Sequence, residues 1–367
     1  MILEGLKVIE LASVLAAPSV GQFLAELGAE VIKIENPLQG GDVTRSWSLA
    51  GEQALDGRSA YFTSINWGKT SVLLNLQESK ALAQLYEMVK TADVVLASYK
   101  PFDAEKLKVS YTDLLKINPN LIYGHITGYG SQVARVGYDA IIQAEAGFVY
   151  MNGEPACQPS KMPVALVDML AGHQLKQGIL LALLEREKTG KGSLIEVSLF
   201  DSAVSALVNQ ASNWLNAGYI PKQMGSQHPN IVPYGSIFYT KDQKMITLAV
   251  GTDKHFAQLC KILQIPELAQ NPKFTTNAQR VIHREELLPI LEEKIALWEK
   301  NDLLLNLEKA QIPAGGINTM PEVFELEYVK NLILEDENCK GIRQWVGLIN
   351  GKRGKKITAP PIFQLKK

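Results

Sequence analysis

Asp168 is the residue whose type and position most invite chemistry. It ends the apolar run Val164-Ala165-Leu166-Val167 and begins a long helical pattern. A carboxylate there has two readings. It can cap the helix by accepting from the first free N–H groups. It can also act as a nucleophile towards an activated acyl group, anchored near those same groups on the rim of a sheet. The residue pattern does not separate the two. Two glycine-bearing segments precede it. Gly128-Tyr129-Gly130 follows a strand-like run at 121–126, where ligands of open α/β sheets gather. Gly137-Tyr138-Asp139 reads as a turn, or as a pocket wall in which Tyr138 offers a hydroxyl.

Several other chemistries find no support. The chain has no P-loop, no GxGxxG after its first strand and no GxSxG elbow. Its five histidines form no HExxH and no other metal-ligand spacing, so no metal is expected. The three cysteines, Cys157, Cys260 and Cys339, are far apart and form no CxxC pair, which fits a reducing cytoplasm. A net charge of −1 gives no global reason to expect nucleic acid or an anionic membrane as partner. No apolar run is long enough to span a bilayer, and the first residues do not read as a secretory signal.

The elements that must position these residues follow from periodicity. Residues 7–11 read as a strand, a helical pattern runs through Phe23, Leu24 and Leu27 to Gly28, and 31–34 read as the next strand. That is a βαβ unit with a right-handed crossover. Strands at 71–76, 93–96, 121–126 and 194–199 and a helix at 79–89 continue an open α/β sheet. A long helix is expected over 169–188, burying Leu175, Ile179, Leu180, Leu183 and Leu184, with Lys188-Thr189-Gly190-Lys191-Gly192 as its stop. After about residue 220 the character changes. Turn-rich segments lead to strands at 236–239 and 245–250 and helical patterns at 254–263 and 285–307, a second and smaller α+β unit. The basic stretch Lys352-Arg353-Gly354-Lys355-Lys356 reads as a solvated turn rather than a binding patch.

Taken together, these segments resemble the class III CoA-transferase family, which includes formyl-CoA and carnitine CoA transferases and α-methylacyl-CoA racemase. The resemblance lies in residues 3–11 with Ala17-Pro18, residues 27–35, Gly41-Asp42-Val43-Thr44-Arg45 and Asn66-Trp67-Gly68-Lys69. It continues in Thr127-Gly128-Tyr129-Gly130, Gly137-Tyr138-Asp139, Asp168 and Thr189-Gly190-Lys191-Gly192. Late in the chain Pro233-Tyr234-Gly235, residues 249–253 and residues 312–319 complete a collinear set. Each match is weak alone; the ordered set is specific and covers nearly the whole chain.

The resemblance implies an α/β fold: a large open-sheet, Rossmann-like domain with a smaller inserted α+β domain, in an interlocked homodimer. It implies residues 1–200 plus 320–367 as the CoA-binding domain, 225–315 as the small domain, and linkers at 201–224 and 310–325. The implied activity is transfer of coenzyme A from an acyl-CoA thioester to a carboxylic acid, through an acyl-aspartyl anhydride and an aspartyl-CoA thioester on Asp168. The substrate would carry the CoA, and no cofactor is implied. Matching CoA-contact positions are Val14, Leu15 and Ala16; Leu74, Asn75, Leu76 and Gln77; Ser98, Tyr99 and Lys100; Lys106; and Val136, Gly137, Tyr138 and Asp139. Lys100 and Lys106 are the candidates for phosphate pairing. The sequence departs from the family pattern at Asn36, where some relatives have arginine, and at Ser98-Tyr99-Lys100, where Asn-Phe-Arg is common. Leu15 stands where formyl-CoA transferase has glutamine, which argues against an oxalate and formyl-CoA specificity. Racemases of the family carry histidine at the position of Tyr138. Tyrosine, with an ordinary pKa of about 10, is a poor base at neutral pH, so transfer is preferred over racemisation. A 2-methylacyl-CoA racemase and a non-catalytic CoA-binding homologue stay as alternatives.

Overall fold

The computed structural model describes residues 1–53, 56–100, 102–354 and 357–364. Contacts divide the described chain into two compact units. One takes in Met1–Gly147, Met162–Ala217 and Tyr328–Lys367; the other takes in Phe148–Lys161 and Gly218–Glu327.

The first unit is built on a six-stranded parallel sheet, β1 (Lys7–Leu11), β2 (Glu30–Glu35), β3 (Lys69–Leu73), β4 (Val94–Ala97), β5 (Ile122–Thr127) and β6 (Ser193–Ser198). The strand order is β3-β2-β1-β4-β5-β6, a doubly wound arrangement whose direction reverses between β1 and β4. Both faces of the inner strands are covered: every residue of β4 and β5 is buried. The edge strand β6 instead alternates between exposed and half-buried positions over most of its length.

One face carries α2 (Ser79–Val89), with Leu85 and Val89 packed among Ile9, Val95 and Tyr123. Along the chain, α1 (Ala16–Glu26) precedes it, and α3 (Asp139–Glu145) and α4 (Leu166–Thr189) follow it. All eleven residues of α1 are buried. It crosses α4 at Gly172, where a Cβ would lie 2.4 Å from Ser19 Oγ and 3.0 Å from Ala16 O. That close crossing decides which face of α4 turns inward. Leu175 and Ile179 are fully buried, each contributing roughly 1.5–3 kcal/mol. The stripe is completed by Val167, Ala171, Lys176 and Ala182. The leucines expected beside them are not part of it: Leu180 is 37% and Leu184 63% exposed. Small residues, invisible to a count of large apolar side chains, set the helix's rotation.

The second unit has an antiparallel sheet of β7 (Tyr234–Tyr239), β8 (Met245–Ala249) and β9 (Ala314–Gly316), in that order. Its core joins Phe238, Ile246 and Leu248 to Phe256 and Leu259 of α5 (Asp253–Ile262). The helical pattern at 285–307 resolves into α6 (Arg284–Ile295) and α7 (Lys300–Lys309). They break where Glu299 turns extended and Trp298 O accepts from Lys241 N–H at 2.8 Å. Of the basic stretch at 352–356, Lys355 and Lys356 lie outside the described residues, while Lys352 exchanges backbone hydrogen bonds with Ile349. No helix of the described residues is long and apolar enough to cross a membrane.

Candidate active site

Asp168 occupies the third position of α4, not its cap. The cap residue is Ala165, which has no side chain able to accept. The first N–H groups are satisfied from another element. Oδ1 of Asp139, at the start of α3, accepts from Val167 N–H at 2.8 Å and from Asp168 N–H at 3.4 Å. Its Oδ2 accepts from Gln143 Nε2 at 2.6 Å. The capping reading of Asp168 is therefore corrected: Asp139 caps α4 across the fold and leaves the Asp168 carboxylate unused.

That carboxylate is in an unusual position. Asp168 is only 7% exposed, and among the described residues its side chain has no hydrogen-bond or ion-pair partner. Burial, and then the negative charge of Asp139, push its pKa up to about 7. The same charges reach Tyr61, whose hydroxyl is raised by burial and then by Asp168 and Asp139.

The cavity beside Asp168 forms where the carboxyl ends of β1, β4 and β5 meet, at the reversal point of the sheet. Val14, Leu15 and Ala16 line it from the β1–α1 turn, and Ser98, Tyr99 and Lys100 from the end of β4. Thr127, the last residue of β5, and Gly128 line it too, with Val136, Gly137 and Tyr138 from the following loop. Tyr138 itself is 55% exposed. The two glycine segments touch: a Cβ on Gly128 would stand 2.7 Å from the Gly137 nitrogen, and one on Gly137 2.6 Å from the Gly128 Cα. Neither position has room for a side chain, which is the physical reason both are glycine. Gly130 N–H donates to Thr127 Oγ1 at 2.9 Å, so this amide is already engaged.

A second, larger cavity of about 450 Å³ adjoins the first through Tyr99, which lines both. Leu74, Asn75, Leu76, Gln77 and Lys106 line it, with Asn36 and Gln39. Lys106 Nζ donates to Asp103 Oδ1 at 3.2 Å within this wall. Fourteen of the fifteen residues expected at CoA thus fall on one of two neighbouring cavities. Asp139 is the exception; it sits behind the wall as the cap of α4.

Sequence reasoning gave no role to the charges beneath the β1 and β2 ends. Lys33 Nζ pairs with Glu10 at 2.9 Å and Asp42 at 2.8 Å, and Lys69 Nζ pairs with Glu10 at 2.8 Å. Arg45 grips Glu35 through two bonds of 2.7 Å. Burial opposes the charge on Lys33, but Glu10 and Asp42 overcome it and raise its pKa. Burial likewise opposes ionisation of Asp42, and Lys33 reverses that and lowers it. Asp42 Oδ1 also accepts from Val14 N–H at 3.3 Å, while Ser98 Oγ accepts from Ser13 N–H at 3.3 Å. These bonds hold Val14 at φ +71°, a strained setting for a β-branched residue, in the wall of the Asp168 cavity. Arg135, Leu199 and Ser13 also line that cavity without having been singled out.

A doubly wound sheet with a cavity at its switch point and a buried, unpaired carboxylate on the cavity wall defines an α/β enzyme. The chain belongs to CoA-transferase family III, whose profile matches residues 3–336. It is 40% identical over 328 residues to the succinate–glutarate CoA-transferase of Agrobacterium fabrum, covering 88% of this chain and 81% of that one. It is 37% identical over 341 residues to the human succinyl-CoA:glutarate CoA-transferase, covering 92% and 76%. A crystal structure of a CaiB/BaiF family protein from Brucella suis matches with a TM-score of 0.84 and 38% identity, over 98% of this chain and 95% of that one. Transfer of coenzyme A is accordingly this protein's activity.

Proposed function

We propose that Asp168 is the nucleophile of this transfer and carries the CoA between two acids. The supporting observation is a carboxylate that is buried, unpaired and on the wall of the switch-point cavity. A carboxylate whose pKa is raised to about 7 is more basic than an ordinary one and still ionises near neutrality. Its oxygen attacks the thioester carbonyl carbon of the donor, and the C–S bond breaks to give an acyl-aspartyl anhydride and CoA thiolate. The thiolate attacks the Asp168 carbonyl carbon and the donor acid leaves as carboxylate. The acceptor carboxylate then attacks the aspartyl thioester, and the same steps run in reverse. No net proton is taken up.

In this reading CoA lies along the two cavities, with Lys100 and Lys106 near its phosphates. Racemisation needs a second base across the substrate, and the described lining of the Asp168 cavity includes no histidine. The reading extends to a homodimer in a reducing cytoplasm. Its supports are three free cysteines and apolar side chains left open on one unit, among them Leu181 at 66%, Leu184 at 63% and Leu215 at 77% exposure. The acids named for the two relatives, succinate and glutarate, are short dicarboxylates, and we carry that class over to this chain.

The test is to incubate the protein with a panel of acyl-CoA donors, quench with hydroxylamine or borohydride, and map the modified residue by mass spectrometry. An adduct on Asp168 is expected. Turnover with the adduct on any other residue, or with none, overturns the assignment.

A further inference from the structure

The loop after β5 places one guanidinium on the rim of the Asp168 cavity. Arg135 lines that cavity beside Val136 and Tyr138. Its partners form a compact arrangement. Arg135 Nη1 donates to Glu145 Oε2 at 3.0 Å, and Nη2 contacts Glu145 Oε1. The guanidinium also lies over the Tyr129 ring, 4.7 Å from its centroid. The Tyr129 hydroxyl donates to the same Glu145 Oε2 at 2.7 Å. Tyr129 is fixed in turn by stacking on Phe200, centroids 5.8 Å apart.

Two guanidinium N–H groups and a phenol therefore converge on one carboxylate. That is a carboxylate receptor, with the fork geometry that favours bidentate binding. Its present occupant is Glu145, the last residue of α3. The pair is open to solvent, with side-chain exposures of 54% and 34%. An exposed pair of this kind is held weakly against solvent, so another carboxylate can exchange with it at little cost. The rest of the cavity wall supports an aliphatic chain between the reacting carbon and that charge: Leu15, Ala17, Ile126, Val136 and Leu199 are apolar.

We propose that Arg135 and Tyr129 receive the distal carboxylate of a dicarboxylic acyl group while its thioester carbon reacts at Asp168, and that Glu145 occupies this receptor when the substrate is absent. The assignment rests on the Asp168 reading above and adds the residues that select a second negative charge. Arg135 is in this sense a specificity residue, and Glu145 its internal competitor.

The two residues must then act in opposite directions. The measurement is formation of the Asp168 adduct against concentration, with succinyl-CoA and with butyryl-CoA, which differ in the distal carboxylate. In Arg135→Gln the half-saturating succinyl-CoA concentration, relative to that for butyryl-CoA, rises about tenfold, the loss of ~1.4 kcal/mol of charge recognition. In Glu145→Gln the same ratio falls, because the competitor no longer carries charge. Arg135→Lys lies between Arg135→Gln and the parent, since it keeps the charge and loses the fork. An unchanged ratio in Arg135→Gln, or a ratio that rises in Glu145→Gln, overturns the proposal and leaves the pair as a loop tether. Failure of the underlying reading looks different: turnover without any Asp168 adduct in the unsubstituted protein.

Discussion

Two groups of carboxylates beside the same parallel sheet are treated in opposite ways. Under the ends of β1 and β2, Glu10, Asp42 and Glu35 are met by Lys33, Lys69 and Arg45, all nearly inaccessible. At the start of α4, Asp168 and Asp139 are met by no cation among the described residues. In the first group opposite charge overcomes desolvation and Asp42 and Glu35 stay ionised, held below the usual carboxylate range. In the second group desolvation wins, and Asp139 adds to it. Burial alone therefore does not set Asp168 apart from the other carboxylates; burial without a counter-charge does. The neutralised group fixes the strained Val14 wall, and the unneutralised one keeps a basic oxygen at the cavity.

The sharpest way to break this contrast is to remove the unpaired carboxylate. Asp168→Ala lowers the exchange of labelled acid into acyl-CoA by more than about 10³-fold, as deletion of a covalent nucleophile does. Exchange at the parent rate would place the chemistry elsewhere. In the neutralised group the large effect falls on stability instead. Lys33→Met strands Asp42, leaves Glu10 to Lys69 alone, and costs about 3–5 kcal/mol in urea unfolding. A loss under about 1 kcal/mol would mean that this network is no more than a surface-like set of pairs.

Asp168→Asn tests the same contrast with the opposite sign. The folded protein holds the Asp168 pKa at about 7, above the ordinary 3.8, so the folded state favours the neutral acid. Its contribution is full below about pH 4 and is lost as pH rises from there to about 7, beyond which the penalty stays level. Asparagine has no such titration. The variant is expected to match the parent near pH 4 and to exceed it above pH 7 by at most about 4 kcal/mol. Equal stabilities at pH 8 would show that Asp168 is solvated or paired.

The sequence made these two groups legible to different degrees. Run length and period locate the six strands, because a doubly covered sheet leaves apolar runs such as Val94-Val95-Leu96-Ala97. The matching motifs also drew attention to Asp42, Arg45 and Lys69, without giving their charges work. Lys33 and Lys69 lie 23 and 59 residues from their shared partner Glu10, and only the parallel pairing of β1, β2 and β3 brings the three together. The start of α4 is hidden from the sequence by a similar mechanism. Ala165 carries no cap signal, and the capping oxygen arrives from Asp139, 28 residues upstream of Val167. Arg135 went unnoticed because it sits in an aperiodic loop and gains meaning only from Tyr129 and Glu145.

The smallest effect expected belongs to Asp139, and it separates charge from desolvation inside the unneutralised group. Attack requires ionised Asp168, so kcat/KM should rise with pH through an acid limb near 7. Asp139→Asn retains an oxygen to accept from Val167 and Asp168 N–H and removes the charge, together with the bond from Gln143 Nε2. With that charge gone the folded Asp168 ionises more readily, and the limb moves to lower pH. The movement is modest because burial is the larger cause. The matched substitution in the neutralised group, Asp42→Asn, should weaken the protein and leave the limb where it was, since the Asp42 charge is already met by Lys33. If Asp139→Asn leaves the limb in place, or drives it to higher pH, Asp139 is a helix cap alone. The raised basicity of Asp168 would then belong entirely to its burial.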